Sequence, residues 1–258
     1  MGSASRDGSS SIRRVLSMLE TIARAEHPPL ATDLALQLDI PRATAHRLVQ
    51  TLEQEGFIRT NLRGQLIPAQ RLEEIAFSVL YTGRFSVQRQ AILQGLAERI
   101  GETCGIAIPR GTEMIYYDRV QCHWPLQIHL PIGSRVPVWC SSSGKLYLAG
   151  LPEHQLDRVL QHLTLERRAR NTLTEPEALK RALVPVREHE LGTDNEEFID
   201  GMVACSVPIR RHGELLACLF CHAPVLRRSM EDMLALAPML REAATALEAM
   251  LGEEDGAR

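Results

Sequence analysis

The sequence predicts a multidomain α+β protein, with a small N-terminal domain of three helices and a β-hairpin followed by a larger domain of mixed strands and helices. Two observations support this prediction. Apolar residues recur with a helical period up to Gly56 and then mark short strands, and beyond residue 85 strand-like and helix-like segments alternate. A chain of 258 residues, with 45% hydrophobic and 24% charged residues, is long enough for two globular domains.

The chain ends and the compartment are predicted from what the sequence lacks. No apolar run reaches the roughly 18 residues that a membrane span needs, so we expect no contact with a membrane. Residues 1–10 lack the apolar segment of a signal peptide and predict a flexible tail and a cytoplasmic protein. A second flexible tail is predicted over residues 253–258.

The first domain, predicted over residues 11–69, begins with three amphipathic helices. The apolar stripe of the first helix consists of Ile12, Val15, Leu16, Leu19, Ile22 and Ala23. Pro28 and Pro29 block its continuation, a short helix follows over about 31–38, and Pro41 opens the third helix. The buried face of the third helix consists of Ala45, Leu48, Val49 and Leu52.

A β-hairpin completes the first domain. Gly56 ends the third helix, and residues 57–60 and 65–67 are typical of two short strands. The segment Asn61-Leu62-Arg63-Gly64 then forms the hairpin tip. Three helices followed by a hairpin within about 60 residues indicate a winged helix-turn-helix.

The rest of the chain is predicted as a linker helix over residues 70–84 and a second domain over residues 85–252. Ile92, Leu96 and Ile100 mark the first helix of that domain. The predicted strands are 105–109, 114–120, 126–130, 203–209 and 214–221. The predicted later helices are 144–149, 153–161, 176–190 and about 230–251.

The exposed face of the third helix is predicted to read DNA, because the N-terminal part of such a helix meets base edges and phosphates in the major groove. Arg63 at the hairpin tip would reach the backbone or the minor groove. The predicted DNA-binding residues are Arg42, Ala43, Thr44, His46, Arg47, Gln50 and Arg63.

The competing interpretation is a solvated helix face in another kind of helical domain. The net charge of the whole chain is −3. Residues 1–70 hold eight Arg and seven acidic residues, a net of +1, so charge alone does not decide. The gathering of Arg42, Arg47, Arg59 and Arg63 on the third helix and hairpin favours DNA binding.

Two separated motifs resemble the IclR family of bacterial transcriptional regulators. The segment 38–48 is similar to the recognition region of that family, and the segment 190–209 is similar to its effector-domain signature. Shorter matches at 117–120, 133–137 and 143–145 follow in the family's order. The resemblance covers roughly residues 11–250.

The resemblance implies a second domain with a GAF- or profilin-like fold, and a homodimer or a dimer of dimers on double-stranded operator DNA. It also implies a bacterial protein that binds a small organic effector, often a carboxylic acid. From the residues we expect a cytoplasmic protein without a cofactor or a metal. The sequence departs from the family at Asp39, where glycine is usual, and at Ala43, where serine is common. Phe220 and His222 stand where smaller hydroxyl residues are common.

The effector site that the resemblance implies combines a serine-rich loop, the signature aspartate and the last two strands. Its residues are Trp139, Ser141, Ser142, Ser143, Asp194, Ala204, Cys205, Phe220 and His222. Serine hydroxyls and backbone N–H groups at a helix N-terminus favour an anion, and His222 could donate to a carboxylate. The competing interpretations are a helix cap for Ser141–Ser143 and a capping acid cluster for Asp194, Glu196 and Glu197.

The six cysteines, all beyond residue 100, allow an alternative function as a redox or metal sensor. The run Cys218-Leu219-Phe220-Cys221-His222 matches a haem-attachment pattern, but it reads as a buried strand in which Cys218 and Cys221 face opposite sides. An even hairpin loop closed by Gly213 would place Cys205 on the face of Cys218. An odd loop with a bulge would instead align Ala204 with Phe220.

No enzymatic arrangement is indicated. Ser143-Gly144-Lys145 is not a phosphate-binding loop, because Trp139 stands where its first glycine is required. The nine histidines lack metal-ligand spacing. A regulator of transcription is therefore the leading interpretation, ahead of a redox or metal sensor and of an adaptor that reuses a winged helix.

Overall fold

The chain forms two compact units, residues 1–82 and 83–258. The structure, a computed structural model, describes residues 5–25, 27–72, 75 and 86–252. Most of the predicted linker helix over 70–84 and the predicted tail over 253–258 lie outside the described residues. No helix among the described residues is long and apolar enough to cross a bilayer.

The first unit is a winged helix-turn-helix, as predicted. Its elements are α1 (Ser5–Arg24), α2 (Ala31–Gln37), α3 (Arg42–Gln54), β1 (Ile58–Thr60) and β2 (Leu66–Pro68). The predicted tail over residues 1–10 overlaps α1, which already begins at Ser5. The strands pair antiparallel, with Arg59 opposite Ile67.

One core holds the three helices and the hairpin together. Its buried members include Met18, Leu34, Ala45, Leu48, Leu52, Ile58 and Leu66. The turn between α2 and α3 places Asp39 in the left-handed region with φ 49°, the position where a glycine would be easier to accommodate. At the hairpin tip, Asn61 Oδ1 accepts hydrogen bonds from the backbone N–H groups of Arg63 at 2.9 Å and Gln65 at 3.0 Å.

The second unit is an α+β domain built on one antiparallel sheet with the strand order β5-β4-β3-β8-β7-β6. The strands are β3 (Thr103–Arg110), β4 (Glu113–Val120), β5 (Arg135–Pro137), β6 (Gly192–Asn195), β7 (Met202–Arg211) and β8 (Glu214–Pro224). The helices are α4 (Ser86–Ile100), α5 (Ser142–Gly150), α6 (Glu153–His162), α7 (Pro176–His189), α8 (Met230–Ala235) and α9 (Ala237–Gly252).

Helices cover both faces of this sheet. Helices α5, α6 and α7 pack on one face, where Leu146, Leu160 and Leu183 join Ala107 and Phe220 in a single core. Helices α8 and α9 pack on the other face, against β7. Helix α4 is fixed to β4 by a buried ion pair, with Arg89 Nε 2.6 Å from Asp118 Oδ2. This arrangement confirms the predicted fold class.

Three local predictions differ from the structure. Residues 126–130, predicted as a strand, are irregular, and Pro125 and Pro131 flank them. Strands β5 and β6 are too short to have shown a period of two. The predicted closing helix is divided into α8 and α9 at Leu236, and Pro238 stands in the first turn of α9.

Candidate functional site

The recognition surface of the first unit is the outward face of α3. Ala45, Leu48, Val49 and Leu52 are buried. Arg42, Ala43, His46, Arg47 and Gln50 are exposed, and Thr44 is half-buried. The helical period therefore separates core residues from predicted DNA-binding residues as expected.

The arginines of the α3 surface and of the neighbouring hairpin tip are exposed to solvent. Among the described residues, the guanidinium groups of Arg42, Arg47 and Arg63 have no hydrogen-bond or ion-pair partner. Arg63 lies at the exposed tip of the β1–β2 hairpin. Three unpaired guanidinium groups are available to phosphate oxygens or to guanine edges.

The second unit carries a buried polar cluster, which consists of Arg119, Asp194, Glu197, Ser206 and His222. Four of its members lie on strands, and the register places them on the face that α5 covers. Arg119 pairs with Gly105, Gly105 with Phe220, and Phe220 with Ser206. In the adjacent row, His222 pairs with Ala204, and Ala204 with Asp194.

Every member of the buried polar cluster has a buried side-chain atom without a hydrogen-bond partner among the described residues. These atoms are Arg119 Nε and Nη2, Asp194 Oδ2, Glu197 Oε2, Ser206 Oγ and His222 Nε2. Buried polar groups are nearly always hydrogen-bonded in native proteins, and an orphaned one costs free energy. Their concentration on one face indicates a site for a polar ligand.

An ion pair and backbone bonds shape the acidic side of the cluster. Lys145 Nζ lies 2.5 Å from Glu197 Oε1, and both side chains are buried. Asp194 Oδ1 accepts hydrogen bonds from the backbone N–H groups of Glu197 at 2.8 Å and Phe198 at 3.3 Å. Burial outweighs these bonds and raises the pKa of Asp194 to about 7, so this carboxyl can be protonated near neutral pH.

Aromatic rings form the opposite side. The Tyr116 and Phe220 ring centroids are 4.2 Å apart, and the Phe220 and His222 centroids are 5.8 Å apart at an interplanar angle of 13°. Burial, with a smaller contribution from Arg119, lowers the pKa of His222 to about 3. The imidazole is therefore neutral at physiological pH, and one ring nitrogen can donate a proton in a hydrogen bond while the other accepts.

The predicted serine run belongs to the first turn of α5, and Ser141 is its N-cap. Ser141 Oγ accepts from the Gly144 N–H at 3.2 Å and donates to the Pro137 carbonyl at 2.6 Å. The capping interpretation therefore accounts for Ser141. Ser142 and Ser143 are buried beside it, and the Ser142 carbonyl lies so close to Gly192 that a Cβ there would meet it at 2.1 Å.

Two further predicted residues take structural positions. Trp139 is buried in the core, and its Nε1 donates to the Glu166 carbonyl at 3.3 Å. Cys205 lies on the opposite face of the sheet from Ala204, with its Sγ 3.2 Å from the Met233 carbonyl in α8. Its assignment to the effector site is not retained, because successive strand residues face opposite sides.

The β7–β8 hairpin combines features of both predicted alternatives. Its loop has two residues, His212 and Gly213, with Arg211 opposite Glu214. A bulge then shifts the register between Ile209 and Arg210, so Ala204 shares a face with Phe220. Cys218 Sγ points to the Ser143 carbonyl at 3.5 Å, on the other side of the sheet from Cys205.

The cysteines are buried free thiols in the core. Burial raises the pKa of Cys205, Cys218 and Cys140, which keeps these thiols protonated and poorly nucleophilic. Among the residues that the structure describes, no group of three His, Cys, Asp or Glu side chains could hold a metal ion.

Arg119, Glu197 and Ser206 are the members of the cluster that the effector-site prediction omitted. Ser206 lies two residues from Ala204, so the period of two could have found it. A period of two along β4 predicts that Tyr116 and Arg119 face opposite sides of the sheet, because they are three residues apart. A bulge opposite Ile106 and Ala107 instead brings both side chains to one face.

A winged helix with an unpaired basic face, followed by an α+β domain with a cluster of unpartnered buried polar atoms, is the architecture of a DNA-binding transcriptional regulator. Residues 11–62 match the IclR helix-turn-helix domain, and residues 83–249 match the bacterial transcriptional regulator IclR C-terminal domain. The chain belongs to the IclR family of transcriptional regulators.

Relatives and solved structures agree over nearly the whole chain. SauR of Cupriavidus necator is 35% identical over 233 residues, covering 90% of this chain and 92% of SauR. The transcriptional repressor IclR of Escherichia coli is 30% identical over 238 residues, covering 91% and 87%. The crystal structure of Thermotoga maritima IclR has a TM-score of 0.63 at 25% identity, covering 95% of this chain and 99% of that chain.

A further solved structure contains a ligand. It is an IclR homolog from Microbacterium hydrocarbonoxydans complexed with 4-hydroxybenzoate, with a TM-score of 0.58 at 26% identity. The similarity covers 93% of this chain and 98% of that homolog.

Proposed function

We propose that this regulator binds operator DNA through α3 and the β1–β2 hairpin, and that a small carboxylic acid bound at the buried polar cluster controls that binding. The observation that supports the second part is the set of unpartnered polar atoms on Arg119, Asp194, Glu197, Ser206 and His222. A ligand that supplies hydrogen-bond partners to these atoms removes an energetic cost of the unliganded fold.

The cluster offers complementary ends to an acid that also carries a hydroxyl group. Arg119 Nε and Nη2 present two donors in the geometry that suits a carboxylate. Asp194 Oδ2 and Glu197 Oε2 accept hydrogen bonds from a hydroxyl group. The stacked Tyr116 and Phe220 rings provide an apolar wall for the body of the ligand.

The 4-hydroxybenzoate in the Microbacterium hydrocarbonoxydans homolog has both of these groups and supports the ligand class. Trp139, Ser141 and Cys205 have no part in this proposal. Ser142, Ser143, Asp194, Ala204, Phe220 and His222 remain in it, and Arg119, Glu197 and Ser206 join them.

In the first unit, the proposed DNA contacts are Arg42, Ala43, Thr44, His46, Arg47, Gln50 and Arg63. A winged helix-turn-helix reads one half-site, so binding to a symmetric operator requires a homodimer or a dimer of dimers. We propose that this regulator acts in the bacterial cytoplasm without enzymatic activity.

Fluorescence anisotropy with duplex DNA from upstream of the regulator's own gene tests the DNA-binding part. Arg47→Ala should raise Kd about tenfold, because one base or phosphate contact by arginine contributes roughly 1–3 kcal/mol. Arg158→Ala, at an exposed position of α6, is the matched control and should bind like the wild type. Equal affinity for Arg47→Ala would remove that residue from the interface.

A panel of small aliphatic and aromatic carboxylic acids tests the effector part. At least one acid should raise the melting temperature and change the affinity for DNA. Arg119→Gln and Ser206→Ala should weaken both responses while leaving the unliganded affinity for DNA unchanged. If an acid acts equally on wild type and Arg119→Gln, the acid does not bind at the cluster.

A further inference from the structure

A separate cavity of about 550 Å³ lies at the opposite end of α5 from the buried polar cluster. The first turn of α5 faces the cluster, whereas Leu146, Tyr147, Ala149 and Gly150 in its second half line this cavity. Helix α7 and the turn end of the β7–β8 hairpin form the other walls. The volume is in the range of small-molecule sites.

The interior of the cavity is apolar. Leu146 and Val186 are buried at its base, with 5% and 3% exposure. The partly buried side chains of Tyr147, Pro208 and Leu215 complete the walls. An apolar body that enters the cavity would therefore leave water on several sides.

A guanidinium group with spare donors lies at the rim. Arg187 Nε donates to the Ala149 carbonyl at 2.7 Å, and Nη2 lies 3.5 Å from the Leu151 carbonyl. Among the described residues, no carboxylate pairs with Arg187. Two carbonyl contacts use two of the five N–H donors of an arginine and leave its full charge unbalanced.

The other charges at the rim restrict the ligand. Arg210 is already paired with Glu190 and also donates to the Gly213 carbonyl at 3.1 Å. The exposed carboxylate of Glu214 lies at the hairpin end of the cavity and repels a second negative charge. Arg187 is therefore the group that an anion would contact, and a monoanion fits better than a dianion.

We propose that this cavity binds a small amphipathic monoanion, with its carboxylate or sulfonate on Arg187 and its apolar body against Leu146, Val186 and Leu215. The site is distinct from the buried polar cluster and does not depend on what the cluster binds. A ligand in it contacts the C-terminal half of the helix whose first turn covers the cluster.

The dye 1-anilinonaphthalene-8-sulfonate, an amphipathic monoanion, tests the proposal with the full-length protein. One saturable site per chain should appear in a fluorescence titration, and octanoate should displace the dye. Arg187→Gln should weaken dye binding about tenfold, because a charge-assisted hydrogen bond is lost. Arg181→Gln changes an exposed arginine on the same helix outside the cavity and should leave Kd unchanged.

Two further variants separate loss of the site from loss of folding and from binding elsewhere. Leu215→Trp places a larger side chain in the cavity and keeps the Arg187 charge, and it should also abolish binding, with a cooperative melting curve retained. Arg119→Gln, in the buried polar cluster, should bind the dye like the wild type. The proposal would be overturned if Arg187→Gln and Leu215→Trp both bind the dye with wild-type affinity. It would also be overturned if only Arg119→Gln loses binding.

Discussion

The recognition surface on α3 and the buried polar cluster under α5 both carry charged residues, but they hold them in opposite environments. Arg42 and Arg47 extend into solvent, where an unpaired charge costs little. Asp194 and Glu197 are buried in the second unit and Arg119 is half-buried there, so each of their unpaired buried polar atoms is costly. Under the proposed function, the exposed arginines can meet the phosphates of DNA directly, whereas the cluster needs a ligand that matches its buried polar atoms.

The charge of the chain divides in the same way. Residues 1–70 have a net charge of +1, so the remaining residues contribute −3 − 1 = −4 to the total of −3. The net positive charge is therefore in the DNA-binding unit, and the second unit is acidic overall. Changes at the buried cluster should act on stability, and changes on α3 should act on DNA affinity alone.

The largest expected effect comes from breaking the buried ion pair. Lys145→Met leaves the Glu197 carboxylate without the ammonium group that lies 2.5 Å away. Removal of one partner of a buried pair typically costs about 3–5 kcal/mol. The free energy of unfolding of the second unit, measured with urea, should fall by that amount.

The double variant Lys145→Met/Glu197→Leu is the control for this prediction. It removes both charges, and it should recover much of the stability that the single variant loses. A single variant as stable as the wild type would show that the pair is solvated in solution. It would also weaken the contrast between the two regions.

The next effect tests the close approach of α5 to β6. In Gly192→Ala the new Cβ would meet the Ser142 carbonyl at 2.1 Å and Ser206 Oγ at 2.6 Å. Overpacking of this kind costs about 1–3 kcal/mol, and it should also weaken ligand binding at the cluster because Ser206 must move. Urea unfolding and ligand titration measure the two effects.

Gly150→Ala is the matched control, because nothing lies within 4 Å of its added Cβ at the end of the same helix. It should be neutral or slightly stabilising. If both glycine variants lose equal stability, the close contact between Gly192 and the Ser142 carbonyl is not the cause of the loss.

The recognition surface could be predicted from the sequence, whereas much of the cluster could not. A helix of regular period fixes which residues face outward, and the buried Ala45 and Leu48 leave Arg47 exposed. In a strand, the register decides which face of the sheet each side chain takes. A single bulge moves all the side chains beyond it to the other face. The bulge in β4 places Arg119 on the same face as Tyr116, and the bulge near Leu216 places Cys205 on the face that packs against α8 and not on the face of the cluster.

Pairing over long sequence distances explains the other omissions. Lys145 and Glu197 are 52 residues apart, and only the packing of α5 on β6 brings them together. The sequence showed Glu197 as one acid in a cluster with a structural role. Its free Oε2 became evident only in three dimensions.

The third effect is a pH dependence that separates Asp194 from the exposed acids. The folded-state pKa of Asp194 is about 7, above its value of about 3.9 in an unfolded chain. The folded state therefore binds the proton more tightly, and the contribution of Asp194 to stability is full below pH 4 and falls as pH rises towards 7. Between pH 5 and pH 7 the loss is roughly 2 kcal/mol.

Asp194→Asn removes this dependence, so the stability of the variant relative to the wild type should increase from pH 5 to pH 7 in urea unfolding. His222 contributes the opposite slope, because its folded-state pKa of about 3 lies below the unfolded value of about 6.5. The contribution of His222 to the free energy of unfolding is therefore lost as the pH falls below about 6.5. His222→Gln should therefore gain relative stability at pH 5. A constant difference between Asp194→Asn and wild type would contradict the burial of this carboxyl.

The smallest effect concerns salt and the recognition surface. Arg42 occupies the first position of α3, where an arginine contacts phosphate more readily than bases. Arg42→Gln should reduce the slope of log K against log salt concentration by about 1 and should weaken operator and unrelated DNA alike. Its unfolding free energy should stay within about 0.5 kcal/mol of wild type, because an exposed side chain without partners contributes little. A salt slope unchanged from the wild type would place Arg42 outside the interface. The same salt dependence would then be expected of Arg47 and Arg63, because their guanidinium groups are also exposed and, among the described residues, unpaired.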